Sequence, residues 1–332
     1  MLQARVGPGA EEPAGKPRAS RHSSVALRDD HPIPGASSEE AADWVELAIL
    51  ARRRRACAME DLLQAMRAVR LPDDAWGSGA PARNRRIEAG AAGAFAELQD
   101  RRLASRQGYP FRLAGDVLEG SRGMDRAAYT FLLLLSAFGA AAGPPEVDGA
   151  SLFEEVSAAA GASYLGGRRA GARFLVFGSP RRGPTAGFRG AVDHLCESIG
   201  EGGGCRPRMR LHHQRDAKLD VVVWRSFPDG RAGQVIGFGQ CATGRSWPAK
   251  LHELQPRAFA NLWFREPLTV EPLRLFFVPF RVDRARWEEA SFYGGMLFDR
   301  CRIAAHSDEL ETDVLDRCQV WSRHVIRTRL RR

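Results

Sequence analysis

The stretch KLDVVVWRSFPDGRAGQVIGFGQCATG (218–244) carries two strand-like runs around one obvious turn. Phe227-Pro228-Asp229-Gly230-Arg231 suits a tight reversal, because proline presets one backbone angle and glycine tolerates the other. With Ser226 opposite Gln234, the register puts Asp220 directly across from Gln240, where side chains on one face lie about 5 Å apart at Cβ. On that register Asp220, Val222 and Trp224 share a face with Ile236, Phe238 and Gln240. A slip of one residue would turn Gln240 to the other face. Two oxygen-bearing side chains therefore close one end of an otherwise apolar surface, where a bare hydrophobic strand would have served the core better.

A carboxylate beside an amide carbonyl is a pair of hard ligands for Mg²⁺ (or Mn²⁺), which takes few protein oxygens and keeps several waters. Such an ion polarises a phosphodiester, orients a water and offsets charge on the leaving oxygen. A lysine completes the set. Of the 49 basic residues only Lys16, Lys218 and Lys250 are lysines, the others being arginines. An ammonium is compact and can change protonation state, whereas a guanidinium cannot. A lysine kept in so arginine-biased a chain thus points to chemistry. Lys218 precedes Asp220 by two residues, and Lys250 opens the helical pattern after the second strand.

Around this hairpin the chain divides into three stretches. Residues 1–40 mix Pro, Gly, Ala, Ser and both charge signs without periodicity and read as a disordered tail. Helical spacing over 43–66, 84–104 and 126–142 predicts a small helical domain at 41–148, in which no chemistry is legible; were the chain to act on DNA, this domain would position DNA or a partner protein. The run AAYTFLLLLSAFGAAAG (127–143) is slightly short for a membrane span and reads as a buried helix. GPPEVDG (143–149) marks a boundary. Residues 149–332 then alternate: a helix from 151, a strand at 172–178, a helix from Phe188 stopped at Gly200, a strand at 207–213, the hairpin, a helix kinked near Pro256 and an apolar strand at 273–282. This is an α/β pattern, a mixed sheet flanked by helices.

The order helix, strand, Asp-led strand, hairpin, Gln-bearing strand, helix resembles the PD-(D/E)XK restriction-endonuclease-like superfamily, in the branch where Gln replaces the second acid. The resemblance spans about residues 150–285. It implies a restriction-endonuclease-like fold and a Mg²⁺-dependent endodeoxyribonuclease, with Asp220 and Gln240 as metal ligands and catalytic residues. It further implies a role in defence against foreign DNA. The family's lysine position, two after the Gln, holds Ala242. Some members carry the lysine on the neighbouring helix, which makes Lys250 the candidate and Lys218 the substitute. A further acid from a preceding helix would fit, from among Glu154, Glu197 and Glu201. A homodimer is compatible with the resemblance.

Composition frames these expectations. A formal charge of +9 leans towards polyanions, since Arg and Lys displace counterions from phosphates. The six cysteines form no C-x-x-C pair, and the N-terminus MLQARVGPGAEEPAGKPRAS lacks a signal peptide's apolar core, so a reducing cytoplasm is the expected location. Four rival readings stand beside the nuclease. GQCATGRS (239–246) has P-loop spacing but Arg245 where phosphate binding needs Lys. Cys241 would need a histidine base to act as nucleophile, and alternation turns it away from Gln240. Arg52–Arg55 read as a solvated helix face or a phosphate contact, His212-His213 before Asp216 as metal-adjacent or, more often, a surface or phosphate contact, and the basic end 323–332 as added DNA affinity. Finally, Ala242 supports an inactive nuclease fold that binds DNA or assembles with a partner.

Overall fold

The protein is described by a computed structural model covering residues 36–51, 56–69, 80–120, 127–178, 187–207 and 217–330. The tail to residue 35, Arg52–Arg55, His212-His213 and most of the 207–213 strand lie outside the described residues. Helix α1 (Ser38–Ala51) begins within the stretch expected to be tail. Its start is set by Ser37 and Glu40, each side chain accepting from the other's backbone N–H at 3.2 Å in a capping box.

The region expected to be helical is not wholly so. Between α2 (Met59–Ala68), α3 (Ala80–Ser105) and α4 (Ala127–Phe138) runs an antiparallel sheet, ordered β1-β3-β2. Its strands are β1 (Ala56–Ala58), β2 (Phe111–Ala114) and β3 (Val117–Gly120). Strands of three or four residues are too short for alternation to show. Their hairpin does have a local sign: Ala114 pairs with Val117 around Gly115, whose φ is +56°, a backbone glycine adopts without a steric penalty. Helix α4 is the apolar run, and Phe131 to Leu135 are fully enclosed. Among the described residues no helix is long and apolar enough to cross a membrane.

The second half is a mixed α/β layer built on a five-stranded sheet, ordered β4-β5-β6-β7-β8. Strand β5 (Val221–Arg225) pairs antiparallel with both β4 (Ala172–Val176) and β6 (Val235–Cys241), while β7 (Leu273–Phe277) pairs parallel with β6 and with β8 (Met296–Phe298). The hairpin register is the one expected: Val222 pairs with Phe238, Trp224 with Ile236 and Arg225 with Val235. Beyond the ladder Ser226 and Gln234 meet through their side chains at 2.7 Å. Gly230, φ +66°, closes the turn onto Phe227 O.

Alternation divides the sheet's two faces. Val222, Trp224, Ile236 and Phe238 pack with Val192 and Leu195 of α6 (Phe188–Ile199) and with Phe259 and Trp263 of α7 (Pro256–Trp263). Pro256 starts α7 rather than kinking it, since proline's missing N–H costs nothing at a first turn. On the other face Val221, Val223, Leu275 and Phe277 pack with Phe153, Val156 and Ala160 of α5 (Gly149–Tyr164). This second core is continuous with that of α1, α3 and α4. The closing helices α8 (Trp287–Gly294), α9 (Arg300–Ala305) and α10 (Thr312–Val325) follow. α10 lays Trp321 edge-on against Phe131, 5.1 Å between ring centres. The turn at 143–149 closes on that same indole, with Gly143 and Gly149 leaving room for it.

A buried ionic network ties these parts together. The Arg101 guanidinium, wholly buried, meets Asp43 (2.7 Å), Glu46 (2.8 Å) and Glu97 (2.8 Å). Arg300 meets Asp43 at 2.6 Å and donates to Ser136 and Pro279 O. Tyr109 and Tyr129 both donate to Glu46 Oε1, at 2.7 and 2.9 Å. Nearly every donor and acceptor has a partner, which is what burying charge demands.

Candidate active site

Asp220 stands where β5 begins, at the end of the sheet away from the hairpin turn. Its carbonyl accepts from Phe177 N (2.7 Å) and Gly178 N (2.9 Å), which anchors the exit of β4 to it. Its own N–H reaches Gly239 O (2.9 Å) rather than Gln240 O, and its Oδ2 accepts from Cys241 N at 2.7 Å. Two residues of β6 thus answer to one of β5, as in a β-bulge. The Asp220 carboxylate is drawn towards Cys241, while Gln240 keeps to the Phe238 face with 4% of its surface exposed.

Of the three glutamates considered, only Glu154 comes near. It projects from α5 onto Gly178, where a Cβ would collide with its carboxylate. Glu154 and Asp220 both act on the Cys241 thiol, whose pKa is pushed up by burial first and by these two carboxylates next. Burial and these carboxylates both disfavour the thiolate form that a cysteine nucleophile needs. Glu201 sits at the opposite end of the hairpin, accepting from Gly233 N and Thr269 N at 3.0 Å each. Glu197 is exposed on α6.

Gln240 is held by a residue that sequence reasoning passed over. Its Nε2 donates to Glu253 Oε2 at 2.7 Å, and Lys218 Nζ lies 3.5 Å from that same oxygen. Gln240 Oε1, buried, has no hydrogen-bond partner among the described residues. An orphaned buried carbonyl is uncommon and matches a position reserved for a ligand. Glu253 had one sequence sign, its place one turn after Lys250 in KLHEL (250–254). Lys218 and Ala217 have φ of +69° and +50°, a left-handed pair of non-glycine residues of the kind that gathers at functional sites. Lys250 ends a short 3₁₀ turn, Trp247–Lys250, half-buried and without an ion pair among the described residues. Ala242, at the family's lysine position, is enclosed with Leu251 and Phe276.

The Asp220 and Glu154 carboxylates and the Gln240 amide carbonyl are each oxygens of the kind a hard divalent cation accepts. Among the described residues no three His, Cys, Asp or Glu side chains could enclose a metal by themselves, but a water-retaining Mg²⁺ site needs only one or two carboxylates. The P-loop reading fails on geometry, because Gly244 to Ser246 form a bend and then one 3₁₀ turn instead of opening a long helix. A cleft of about 580 Å³ lies over the edge strand β4, lined by Arg173, Phe174, His194 and Trp224. It includes none of the candidate residues. Comparison with protein-family models, curated proteins and solved structures yields no match.

Proposed function

We propose that the chain is a metal-dependent DNA endonuclease of the restriction-endonuclease-like kind, acting against foreign DNA. The observation that carries this reading is the buried Gln240 Oε1, without a hydrogen-bond partner among the described residues, on the strand β6 that the Asp220 carboxylate meets through Cys241 N. The succession α5, β4, α6, Asp220-led β5, hairpin, Gln240-bearing β6, α7 and β7 supports it, being the order on which the family resemblance rests with α6 inserted between β4 and β5.

In this reading Asp220 and Gln240 would hold the ion, with Glu154 the acid that would join them. A bound Mg²⁺ or Mn²⁺ lowers the pKa of a water and polarises the phosphodiester. Cys241 N steadies Asp220, and Glu253 steadies the Gln240 amide. Lys250 is uncommitted and orients the attacking water; Lys218 is already engaged with Glu253. Water oxygen bonds to phosphorus as the bond to the leaving sugar oxygen breaks, and that oxygen takes up a proton. The arginine-rich surface supplies phosphate contacts.

Plasmid cleavage with Mg²⁺, Mn²⁺ or EDTA, beside Asp220→Ala and Lys250→Ala, tests this. The expected result is metal-dependent nicking that Asp220→Ala abolishes and Lys250→Ala lowers by at least about 100-fold. A second reading, an inactive fold that binds DNA, draws on the burial of Ala242 among apolar side chains. Binding equally tight with and without metal, and never followed by cutting, would favour it.

A further inference from the structure

Resting on that reading of the site, we infer that Glu253 is a positioning residue that decides which end of the Gln240 amide faces the metal. A primary amide has a donor end and an acceptor end of nearly equal size, so packing alone does not choose between them. An ionised carboxylate only accepts. With Glu253 Oε2 at 2.7 Å the NH₂ end must turn to it, leaving Oε1 for the site. The reverse orientation would set carbonyl oxygen against carboxylate oxygen.

Lys218 enters on the same atom. Its ammonium lies 3.5 Å from Glu253 Oε2, held there by backbone in the left-handed region at Ala217 and Lys218. Glu253 therefore joins three segments: the approach to β5, the end of β6 and the turn before α7. Lys218 belongs to this bracket, which leaves the water-orienting role to Lys250. Metal sites commonly depend on such outer partners, whose loss weakens metal affinity about 10–100-fold.

The test is Mn²⁺ titration of the full chain by calorimetry without DNA, for wild type, Asp220→Ala, Glu253→Ala and Glu253→Gln. Thermal unfolding in EDTA serves as the fold control. Glu253→Ala is expected to weaken Mn²⁺ by at least about tenfold with its EDTA transition intact. Glu253→Gln, whose own carbonyl still accepts from Gln240, is expected to stay within about threefold of wild type. Should Glu253→Ala lose the fold, Glu253→Leu, which keeps the side chain's bulk, takes its place. Wild-type affinity in Glu253→Ala, with Asp220→Ala still deficient, overturns the inference and leaves the nuclease reading standing. So does a Glu253→Gln as weak as Glu253→Ala, because charge rather than the acceptor would then be at work. A wild-type chain that binds no Mn²⁺ overturns both.

Discussion

Gly178 shows how one missing side chain shapes the candidate site. The Glu154 carboxylate occupies the space a Cβ would take, and the backbone N–H of Gly178 holds Asp220 O. The clash partner in Gly178→Ala is the far end of a flexible side chain, which can swing away cheaply. We therefore expect that substitution to cost less than about 1 kcal/mol in urea unfolding, as for changes that create no cavity or buried orphan. Cleavage should nonetheless fall by about two orders of magnitude, since displacing a positioned group by an ångström is that costly. Large instability would instead mean that Gly178 serves the fold, and unchanged cleavage would remove Glu154 from the site.

At the scale of elements, the contact between α9 and the first helices is made by charge. Arg300 projects from α9 into a fully enclosed space, where it binds both oxygens of Asp43 on α1, Ser136 on α4 and Pro279 O. Removing one partner of a buried pair strands the other, a larger loss than the pair's own net worth. Arg300→Met is expected to cost about 3–5 kcal/mol in urea unfolding at neutral pH. Arg300→Lys should recover only part of this, since an ammonium cannot reproduce the guanidinium fork. A cost below about 1 kcal/mol for Arg300→Met would show that packing alone joins these helices.

For the molecule as a whole, the same network sets the response to acid. Burial by itself would raise the Asp43 carboxyl, but the Arg300 and Arg101 guanidiniums outweigh it and hold its pKa at about 2, against 3.8 unperturbed. A depressed carboxylate adds stability in full above its unfolded value and loses it as pH falls through the folded one. The window is therefore from about pH 4 down through about 2. A quarter of the Asp43 side chain reaches solvent (26%), which trims the contribution to on the order of 1–2 kcal/mol. Urea unfolding from pH 6 to pH 2 should lose that much less stability in Asp43→Asn than in wild type across this window. Parallel curves would place the acid sensitivity elsewhere.

The hairpin was legible from its own residues. Alternating apolar positions and Phe227-Pro228-Asp229-Gly230 determine strand, turn and register locally from Val221 to Val235, but the expected opposition of Asp220 and Gln240 gives way to a bulge that sends the Asp220 carboxylate to Cys241 N. Helices α4, α5 and α6 were equally readable, because their apolar spacing and glycine stops act within a few residues. What only the tertiary structure decided is the choice among candidates distant in sequence. It brought Glu154 to Asp220 and left Glu197 and Glu201 apart, because α5 packs on the Cys241 face of the sheet while α6 packs on the other. The short β1–β3 sheet exists through pairing partners that no local period announces. Glu253 became visible only once its carboxylate met Gln240, and Arg101 and Arg300, two among dozens of arginines, became buried only when α1, α3, α4 and α9 closed around them. Local backbone preferences are written in neighbouring residues; the pairing of a buried charge depends on what the whole chain folds against it.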